Sequence, residues 1–251
     1  MPINVTAAFN KFQKDLVNLD PERTKNARVS RDWLLSKING FTGFFPLYTE
    51  KHIYFGSFAR RTKIRPLDDI DIMIALMAVG CTYSEDLSGN ITINVPDDCD
   101  AYKAYRHTYG NTLNSIKVVN EFVRKLSSVD QYRSSDIKRN QEAAVLNLKS
   151  YDWAFDIVPC LFTSEDSQGR TFYIIPDGSG NWKKTDPRKD RDRVTTINTA
   201  CSGNMLNVLR LLKYWQRRKT MPSMGSYLIE CMVLNYFEQN GSCSQYQDME
   251  L

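Results

Sequence analysis

The sequence lacks the features that place a protein in or across a membrane. No apolar run reaches the ~18 residues needed to span a bilayer. The amphipathic N-terminus has no apolar core followed by a small-residue cleavage site, which a signal peptide would need. Internal repeats and low-complexity tracts are also absent. These absences argue against a membrane, secreted or repeat protein, and they predict a globular protein of the cytosol.

Histidine is scarce, and cysteine never occurs in a metal-binding pattern. The two histidines are His52 and His107, and none of the six cysteines forms a CxxC pair. A structural zinc site needs four such ligands at recognisable spacing. The sequence therefore predicts free thiols and no zinc cluster. The cysteines are Cys81, Cys99, Cys160, Cys201, Cys231 and Cys243.

A large excess of charge of one sign is missing as well. The chain carries 33 Lys and Arg against 29 Asp and Glu, a net charge of +4. This surplus is compatible with nucleotide binding but too weak to imply a nucleic-acid partner. With 251 residues, of which 42% are hydrophobic, the chain can form one large domain or two packed lobes.

The stretch from Tyr54 to Ile74 (YFGSFARRTKIRPLDDIDIMI) carries the strongest chemical signal. In it, Asp69 and Asp71 alternate with isoleucines, which predicts a strand over 69–78 with both acids on one face. Two neighbouring carboxylates repel each other and are costly to desolvate. A divalent cation removes both costs, and Mg²⁺ prefers one or two carboxylates together with substrate phosphates.

Gly56 and Ser57 precede these acids in the same stretch. A Gly-Ser turn that opens a short helix offers an anion free backbone N–H groups, a hydroxyl and the helix dipole. Either feature alone is common in turns. Together, a phosphate cradle and a carboxylate pair predict metal-dependent phosphoryl or nucleotidyl transfer.

These residues resemble the signature of the nucleotidyltransferase superfamily typified by DNA polymerase β. The segment GSFARRTKIRPLDDIDIMI looks most like the branch that contains 2′-5′-oligoadenylate synthases, animal cyclic GMP-AMP synthase and the bacterial CD-NTases. The resemblance covers roughly residues 51–238. It implies an α/β (α+β) fold with a mixed-sheet lobe, a C-terminal helical lobe and a long N-terminal bracing helix. We expect a catalytic core over 1–180 and a minimal or shortened helical lobe over 181–251.

A third acid, Asp156, lies inside the apolar run that begins at Trp153. An acid in such a strand costs free energy unless it is paired or bound to metal. The resemblance implies that Asp156 is the third catalytic carboxylate, because the family pattern is an acid followed by two apolar residues and often a proline. Asp152 is the competing candidate, although it reads as a turn residue at the strand entrance.

The resemblance also implies three further nucleotide-binding residues. A predicted amphipathic helix over 204–219 has on its apolar face Met205, Val208, Leu209, Leu212 and Trp215. Lys213 lies on this helix, where the family has a lysine that reaches the triphosphate. Ser226 and Tyr227 open the last predicted helix, where the family places a serine on the triphosphate and an aromatic ring against the base. Each of these residues also has an alternative role that involves no nucleotide. Lys213 would be a snorkelling surface lysine, Ser226 would cap the helix, and Tyr227 would pack in the core.

Other elements follow from periodicity and turn residues. A helix should begin at Asp20-Pro21, and the polar insertion over 80–100 should contain a single strand. The charge run over 181–193 predicts a solvated face with a helix start at Asp186-Pro187, or alternatively a phosphate- or nucleic-acid-contacting surface. The remaining predictions are a helix over 111–126 and strands over 51–55, 91–95, 143–148, 153–159 and 171–175.

The resemblance implies a mechanism with two Mg²⁺ ions, for which Mn²⁺ can substitute, held by Asp69, Asp71 and Asp156. NTPs, with ATP among them, would be joined into a cyclic di- or trinucleotide that activates an effector in antiphage defence. We expect a monomer that does not require nucleic acid. One alternative is a terminal nucleotidyltransferase that extends an RNA end or modifies a protein. Another is a catalytically inactive nucleotide-binding or scaffold protein.

Overall fold

The computed structural model describes residues 4–241, which form eight α-helices and one nine-stranded sheet. These residues divide into two compact units, each built from separate segments. The helical unit consists of 4–28, 56–67 and 187–241, and the sheet unit consists of 29–55 and 68–186. The sequence predicted one boundary at residue 180. The observed division is not contiguous, because the segment 56–67 leaves the sheet between two strands and belongs to the helical unit.

Side-chain caps fix the start of two of the longer helices. Asp20 caps the second helix by accepting a hydrogen bond from the backbone N–H of Arg23 at 2.9 Å. Asn114 caps the fifth helix in the same way through Lys117. In chain order the helices are α1 (Val5–Phe12), α2 (Pro21–Asn39), α3 (Gly56–Ala59), α4 (Asp100–Lys103), α5 (Ser115–Ser127), α6 (Pro187–Ala200), α7 (Asn204–Gln216) and α8 (Ser226–Asn240).

The strands all belong to the sheet unit. They are β1 (Ile53–Phe55), β2 (Asp69–Leu76), β3 (Thr82–Glu85), β4 (Ile91–Asn94), β5 (Asp136–Asn140), β6 (Ala143–Asn147), β7 (Ala154–Phe162), β8 (Tyr173–Pro176) and β9 (Trp182–Thr185). Their main order is β1-β2-β7-β8-β9-β4-β3, with β6 pairing both β7 and β5. The pairing of β2 with β7 is parallel and the other strand pairs are antiparallel. The sheet is therefore mixed, as predicted.

The central pair of strands has two apolar faces. On one face the side chains of Ile70, Ile72 and Ile74 are fully buried. On the other face Met73 and Val158 belong to an apolar cluster that extends to β1, β6 and β8. Because both faces are buried along most of their length, β2 and β7 read as nearly continuous apolar runs, which is typical of parallel strands.

The helical unit has its own apolar core. One cluster is formed by the facing sides of α6, α7 and α8, with Leu209 and Val233 among its members. A smaller cluster joins Ile64, in the segment 56–67, to Val17 and Leu211. This second cluster explains why the segment groups with the helices rather than with the strands it connects.

Several predicted elements differ from the observed ones. The predicted helix over 111–126 starts at Ser115, because Asn114 is its cap. Strand β3 lies in the insertion where only one strand was predicted, while β5 and β9 were not predicted at all. These three strands are short and mostly polar, so their alternation carries no burial signal.

Two predictions for the C-terminal helices were wrong. Ser226 is the first residue of α8 rather than its cap; the cap position is occupied by Gly225, which has no side chain to accept a capping hydrogen bond. Trp215, predicted on the apolar face of α7, is 47% exposed, while Leu206 and Leu211 are buried.

Other predictions concern thiols and membranes. Cys81, Cys99, Cys160, Cys201 and Cys231 are free, as predicted, and Cys243 lies outside the described residues. Within residues 4–241, no helix combines the length and apolar character needed to cross a membrane.

Candidate active site

The three predicted catalytic acids share one face of the sheet. Asp69 and Asp71 are the first and third residues of β2, and Asp156 is the third residue of β7. In the parallel pairing, Asp71 is the Cα partner of Asp156. Partners in adjacent strands point to the same face, and Asp69 lies two residues from Asp71, so all three side chains share a face. Each is partly buried.

The residues that follow Asp71 and Asp156 in their strands hold this register. Ile72 is the partner of Ile157, and both are fully buried on the opposite face. A slip of one residue would expose these isoleucines, so the apolar pattern fixes which acids meet. The competing acid Asp152 lies in the bend before β7 and is exposed, outside the paired strand.

Apolar side chains flank the acids. Phe55 of β1 is the partner of Asp71, and Val145 of β6 is the partner of Asp156. Phe55 is partly buried and Val145 is buried. The acids therefore share their face of the sheet with apolar side chains from both flanking strands.

The acids fit a hard cation by their chemistry. Carboxylate oxygens are the ligands that Mg²⁺ prefers, and two or three of them leave coordination positions for phosphates and water. No group of three or more His, Cys, Asp or Glu side chains is already placed to hold a metal ion within residues 4–241. The backbone register brings the three acids to one face, and their role as metal ligands stays a prediction.

The Gly-Ser turn forms as predicted. Strand β1 ends at Phe55, and α3 begins with Gly56 at a φ of +70°, a left-handed conformation that favours glycine. The carbonyl of Ser57 accepts hydrogen bonds from the backbone N–H groups of Thr62 and Lys63, at 2.9 and 3.1 Å. The turn is therefore fixed by the chain that follows it inside the helical unit.

Lys213 is buried rather than snorkelling to the surface. It is 4% exposed, and its Nζ donates to Oε1 of Glu230 at 2.5 Å and to the carbonyl of Thr62 at 3.1 Å. Burial lowers the pKa of Lys213, and the charge of Glu230 opposes that effect. The structure thus gives the predicted triphosphate-binding lysine a carboxylate partner within the helical unit.

Glu230 is a residue that the sequence did not single out. Burial would raise the pKa of its carboxyl group, but the hydrogen bond from Arg60 and the charge of Lys213 hold that pKa below the usual 4.5. The signal was present in the sequence: Glu230 stands between Ile229 and the buried Val233 and Leu234, where an acid is unexpected.

Ser226 and Tyr227 lie at the exposed start of α8. The hydroxyl of Tyr227 donates to Oδ1 of Asp190 at 2.9 Å. The guanidinium carbon of Arg60 lies 5.5 Å from the centre of the Tyr227 ring. Burial together with the hydrogen bond to Asp190 raises the pKa of Tyr227 to about 12. The ring is 52% exposed and available to stack on a flat partner.

Part of the predicted basic surface has structural partners. Lys183 is ion-paired with Glu142, and Nζ of Lys184 lies 4.0 Å from the centre of the Phe172 ring. Arg193 pairs with Glu238 of α8. The helix predicted to start at Asp186-Pro187 is observed as α6, beginning at Pro187.

A mixed sheet of this kind, with an acidic pair on one strand and a third acid on its parallel neighbour, defines the polymerase-β-like nucleotidyltransferase fold. Residues 3–198 match the family model of SMODS, the Second Messenger Oligonucleotide or Dinucleotide Synthetase domain. The chain belongs to this family, within the CD-NTases.

Two curated proteins are similar to the chain. A probable cyclic nucleotide synthase of Bacillus cereus (strain VD146) is 48% identical over 237 residues, which cover 92% of this chain and 71% of that protein. The cyclic AMP-AMP-AMP synthase of Escherichia coli (strain MS 115-1) is 23% identical over 244 residues, covering 95% of this chain and 66% of that one. The chain thus spans about two thirds of the length of these relatives.

Two solved structures share the fold. The E. coli MS115-1 protein CdnC in complex with HORMA-deltaN matches with a TM-score of 0.64 at 20% identity, covering 95% of this chain and 66% of that chain. CdnC with ATP matches with a TM-score of 0.61 at 20% identity, covering 94% and 66%.

Proposed function

We propose that this protein joins NTPs, with release of pyrophosphate, into a cyclic di- or trinucleotide second messenger. The observation that carries the proposal is the register of Asp71 with Asp156, which puts three carboxylates on one face of two parallel strands. Family membership supports the reaction class, since the matching family is named for oligonucleotide or dinucleotide synthesis.

Asp69, Asp71 and Asp156 would hold Mg²⁺, in two sites, with Mn²⁺ as a substitute. The bound ions would neutralise phosphate charge and lower the pKa of the attacking ribose hydroxyl. Asp69 and Asp71 orient the donor through their shared strand face. Asp156, across from Asp71, accepts the proton of the attacking hydroxyl as general base.

The helical unit supplies the residues proposed to bind the nucleotide. Ser57 offers its hydroxyl and the N–H groups of the turn to the β- and γ-phosphates. Lys213 contributes positive charge to the triphosphate, and Ser226 adds a hydroxyl. The exposed ring of Tyr227 stacks on the base.

The bond changes balance without any oxidant or reductant. The ribose oxygen of the acceptor forms a bond to the α-phosphorus of the donor. The bond between that phosphorus and the bridging oxygen of the β-phosphate breaks, and pyrophosphate leaves. A second attack of the same kind, within the linear product, closes the ring.

The names of the relatives support further parts of the proposal. The E. coli relative is a cyclic AMP-AMP-AMP synthase, and a structure of CdnC contains ATP. We therefore place ATP among the substrates. The messenger would activate an effector in antiphage defence, in the cytosol, and the enzyme would act as a monomer.

The terminal nucleotidyltransferase has less support. An enzyme that extends RNA needs a basic track for the acceptor strand. The segment 183–193 was its only candidate in the sequence, and Lys183 and Lys184 there have partners within the sheet unit.

The test is to incubate the purified protein with labelled NTPs, singly and together, with Mg²⁺ or Mn²⁺. Products are treated with phosphatase and resolved. A phosphatase-resistant product is expected from the wild type and from D152A, whose acid lies outside the strand. The double variant D69A/D71A should make none. Ladders that form only when RNA is added would replace the proposal by terminal transfer.

A further inference from the structure

Glu230 lies within α8, and the proposed reaction assigns it no step. Its side chain is 2% exposed, and Ile229, Val233 and Leu234 on the same helix are buried as well. A carboxylate in such a place is costly unless charged or polar groups pair with it. Glu230 has three such partners, and their positions in the chain indicate what the pairing does.

Two of these partners belong to the segment that carries the Gly-Ser turn. The Nε of Arg60 donates to Oε2 of Glu230 at 3.0 Å, and the hydroxyl of Thr62 donates to Oε1 at 2.9 Å. The backbone N–H groups of the same two residues donate to the carbonyls of Gly56 and Ser57, at 3.2 and 2.9 Å. Glu230 therefore binds the side chains of two of the residues whose backbone N–H groups fix the turn.

The third partner is Lys213. Its ammonium group donates to Oε1 of Glu230, the oxygen that also accepts from Thr62, and to the carbonyl of Thr62. Thr62 is fully buried and thus held from both its side chain and its backbone. One carboxylate joins the predicted phosphate-binding turn to the predicted phosphate-binding lysine, and all of these groups lie in the helical unit.

We propose that Glu230 is a positioning residue, which fixes Ser57 and Lys213 in the geometry that binds the phosphates of the NTP. The proposal rests on the proposed function, because it takes the turn and Lys213 to be phosphate ligands. Glu230 touches no reacting atom in this account. Its carboxylate carries one negative charge, whereas Arg60 and Lys213 together carry two positive charges. One positive charge is therefore left to attract the phosphates.

A role for Glu230 as a competitor of phosphate predicts the opposite change in affinity for the NTP. If Glu230 only occupied Lys213 and competed with phosphate, removing its charge would free the lysine and tighten NTP binding. If Glu230 positions the ligands, E230Q should loosen the turn and the lysine and weaken binding. The sign of the change in affinity therefore separates the two roles.

The first experiment measures binding of the α,β-methylene analogue of ATP with Mg²⁺, by calorimetry, alongside steady-state kinetics. For E230Q we expect the dissociation constant and KM to rise by about tenfold or more, with a smaller change in kcat. The matched control is E238Q, since Glu238 also lies on α8 and pairs with an arginine, Arg193, but is exposed. E238Q should bind like the wild type.

A second pair of variants separates positioning from packing and keeps the test valid if E230Q unfolds. T62V keeps the shape of Thr62 but removes the hydroxyl that donates to Glu230. T62S keeps the hydroxyl but removes a methyl group from a buried site. Positioning predicts weaker binding for T62V than for T62S, whereas a purely structural role predicts that T62S, which leaves a cavity, is affected at least as much.

The outcomes distinguish the two proposals. Wild type that binds the analogue, together with E230Q and T62V that bind as tightly as their controls or more tightly, would overturn the positioning role alone. Wild type that binds no analogue of any of the four NTPs would overturn the proposed function itself.

Discussion

Asp71 and Asp156 are Cα partners in the register of two adjacent parallel strands, with backbones about 4.8 Å apart. This arrangement joins residues that are far apart in sequence, and the fully buried pair Ile72 and Ile157 fixes it from the other face. The following predictions concern this acidic face, the residues that we propose bind the nucleotide, and Glu230, which we propose positions them.

Replacing Asp156 by asparagine should lower the rate of pyrophosphate release by at least about a hundredfold. The amide keeps the shape of the side chain but cannot accept the proton of the attacking hydroxyl, and it is a poor ligand for Mg²⁺. The measurement is the initial rate with NTPs, with thermal unfolding to confirm that the variant folds. The control is D136N. Asp136 lies in β5, and the strand register puts it on the same face as the catalytic acids, where it pairs with Lys138. A rate for D156N within a few-fold of D136N would remove Asp156 from the mechanism.

Replacing Gly56 by alanine should weaken binding of ATP by about tenfold. The φ of +70° costs an L-residue about 1–2 kcal/mol, and relief of that strain would rotate Ser57 out of place. Gly110 is the control, since its φ is +105° and an added Cβ would meet no atom within 4 Å. Both variants should lose stability, and only G56A should lose affinity for ATP in a titration. Equal affinities would show that the turn does not bind phosphate.

The stability of the protein should depend on Glu230 in acid. The pKa of Glu230 in the folded state lies below its usual 4.5 because of Arg60 and Lys213, so its contribution to stability is complete above about pH 4.5. That contribution is lost as the pH falls through the folded-state value, when the carboxylate becomes protonated. The contribution of Glu230 to stability is measured by thermal unfolding of the wild type and E230Q from pH 7 to pH 3. The two melting temperatures should converge below pH 4.5, and a constant gap would contradict the pairing.

The ring of Tyr227, rather than its hydroxyl, should matter for the nucleotide. Removing the ring in Y227A should weaken binding of ATP by about tenfold, the effect expected for loss of one stacked base. Y227F keeps the ring, loses the hydroxyl with its hydrogen bond to Asp190, and should bind within a few-fold of the wild type. Affinities measured by calorimetry decide between them. If Y227F and Y227A bind ATP equally weakly, the nucleotide contacts the hydroxyl of Tyr227 and does not stack on its ring.

Much of the sheet around the acids could be predicted from the sequence. The alternation of Asp69 and Asp71 with buried isoleucines predicted β2 over 69–78, and the strand is Asp69–Leu76. Asp156 was singled out because an acid inside an apolar run is costly, and its catalytic role was implied by the resemblance to the nucleotidyltransferases. The signal for each strand is local, since it depends only on the residues within that strand.

Long-range contacts explain what the sequence did not predict. Strand β9 contains Lys183 and Lys184, and it is recognisable only through Trp182, which is buried and donates from its ring N–H to the carbonyl of Leu113. The sequence analysis did not single out Glu230, although the apolar residues around it indicate a buried position. Its partners in the segment 56–67 are visible only in the structure. No periodicity within α8 indicates such a partner, because it lies about 170 residues earlier in the chain.

The most direct test of the central claim is a crystal structure of the protein with Mn²⁺ and the α,β-methylene analogue of ATP, using the anomalous signal of manganese. The account predicts anomalous peaks within about 2–2.5 Å of carboxylate oxygens of Asp69, Asp71 and Asp156, next to the phosphates of the analogue. A bound analogue with no manganese at these three carboxylates, or with manganese held by other residues, would contradict it.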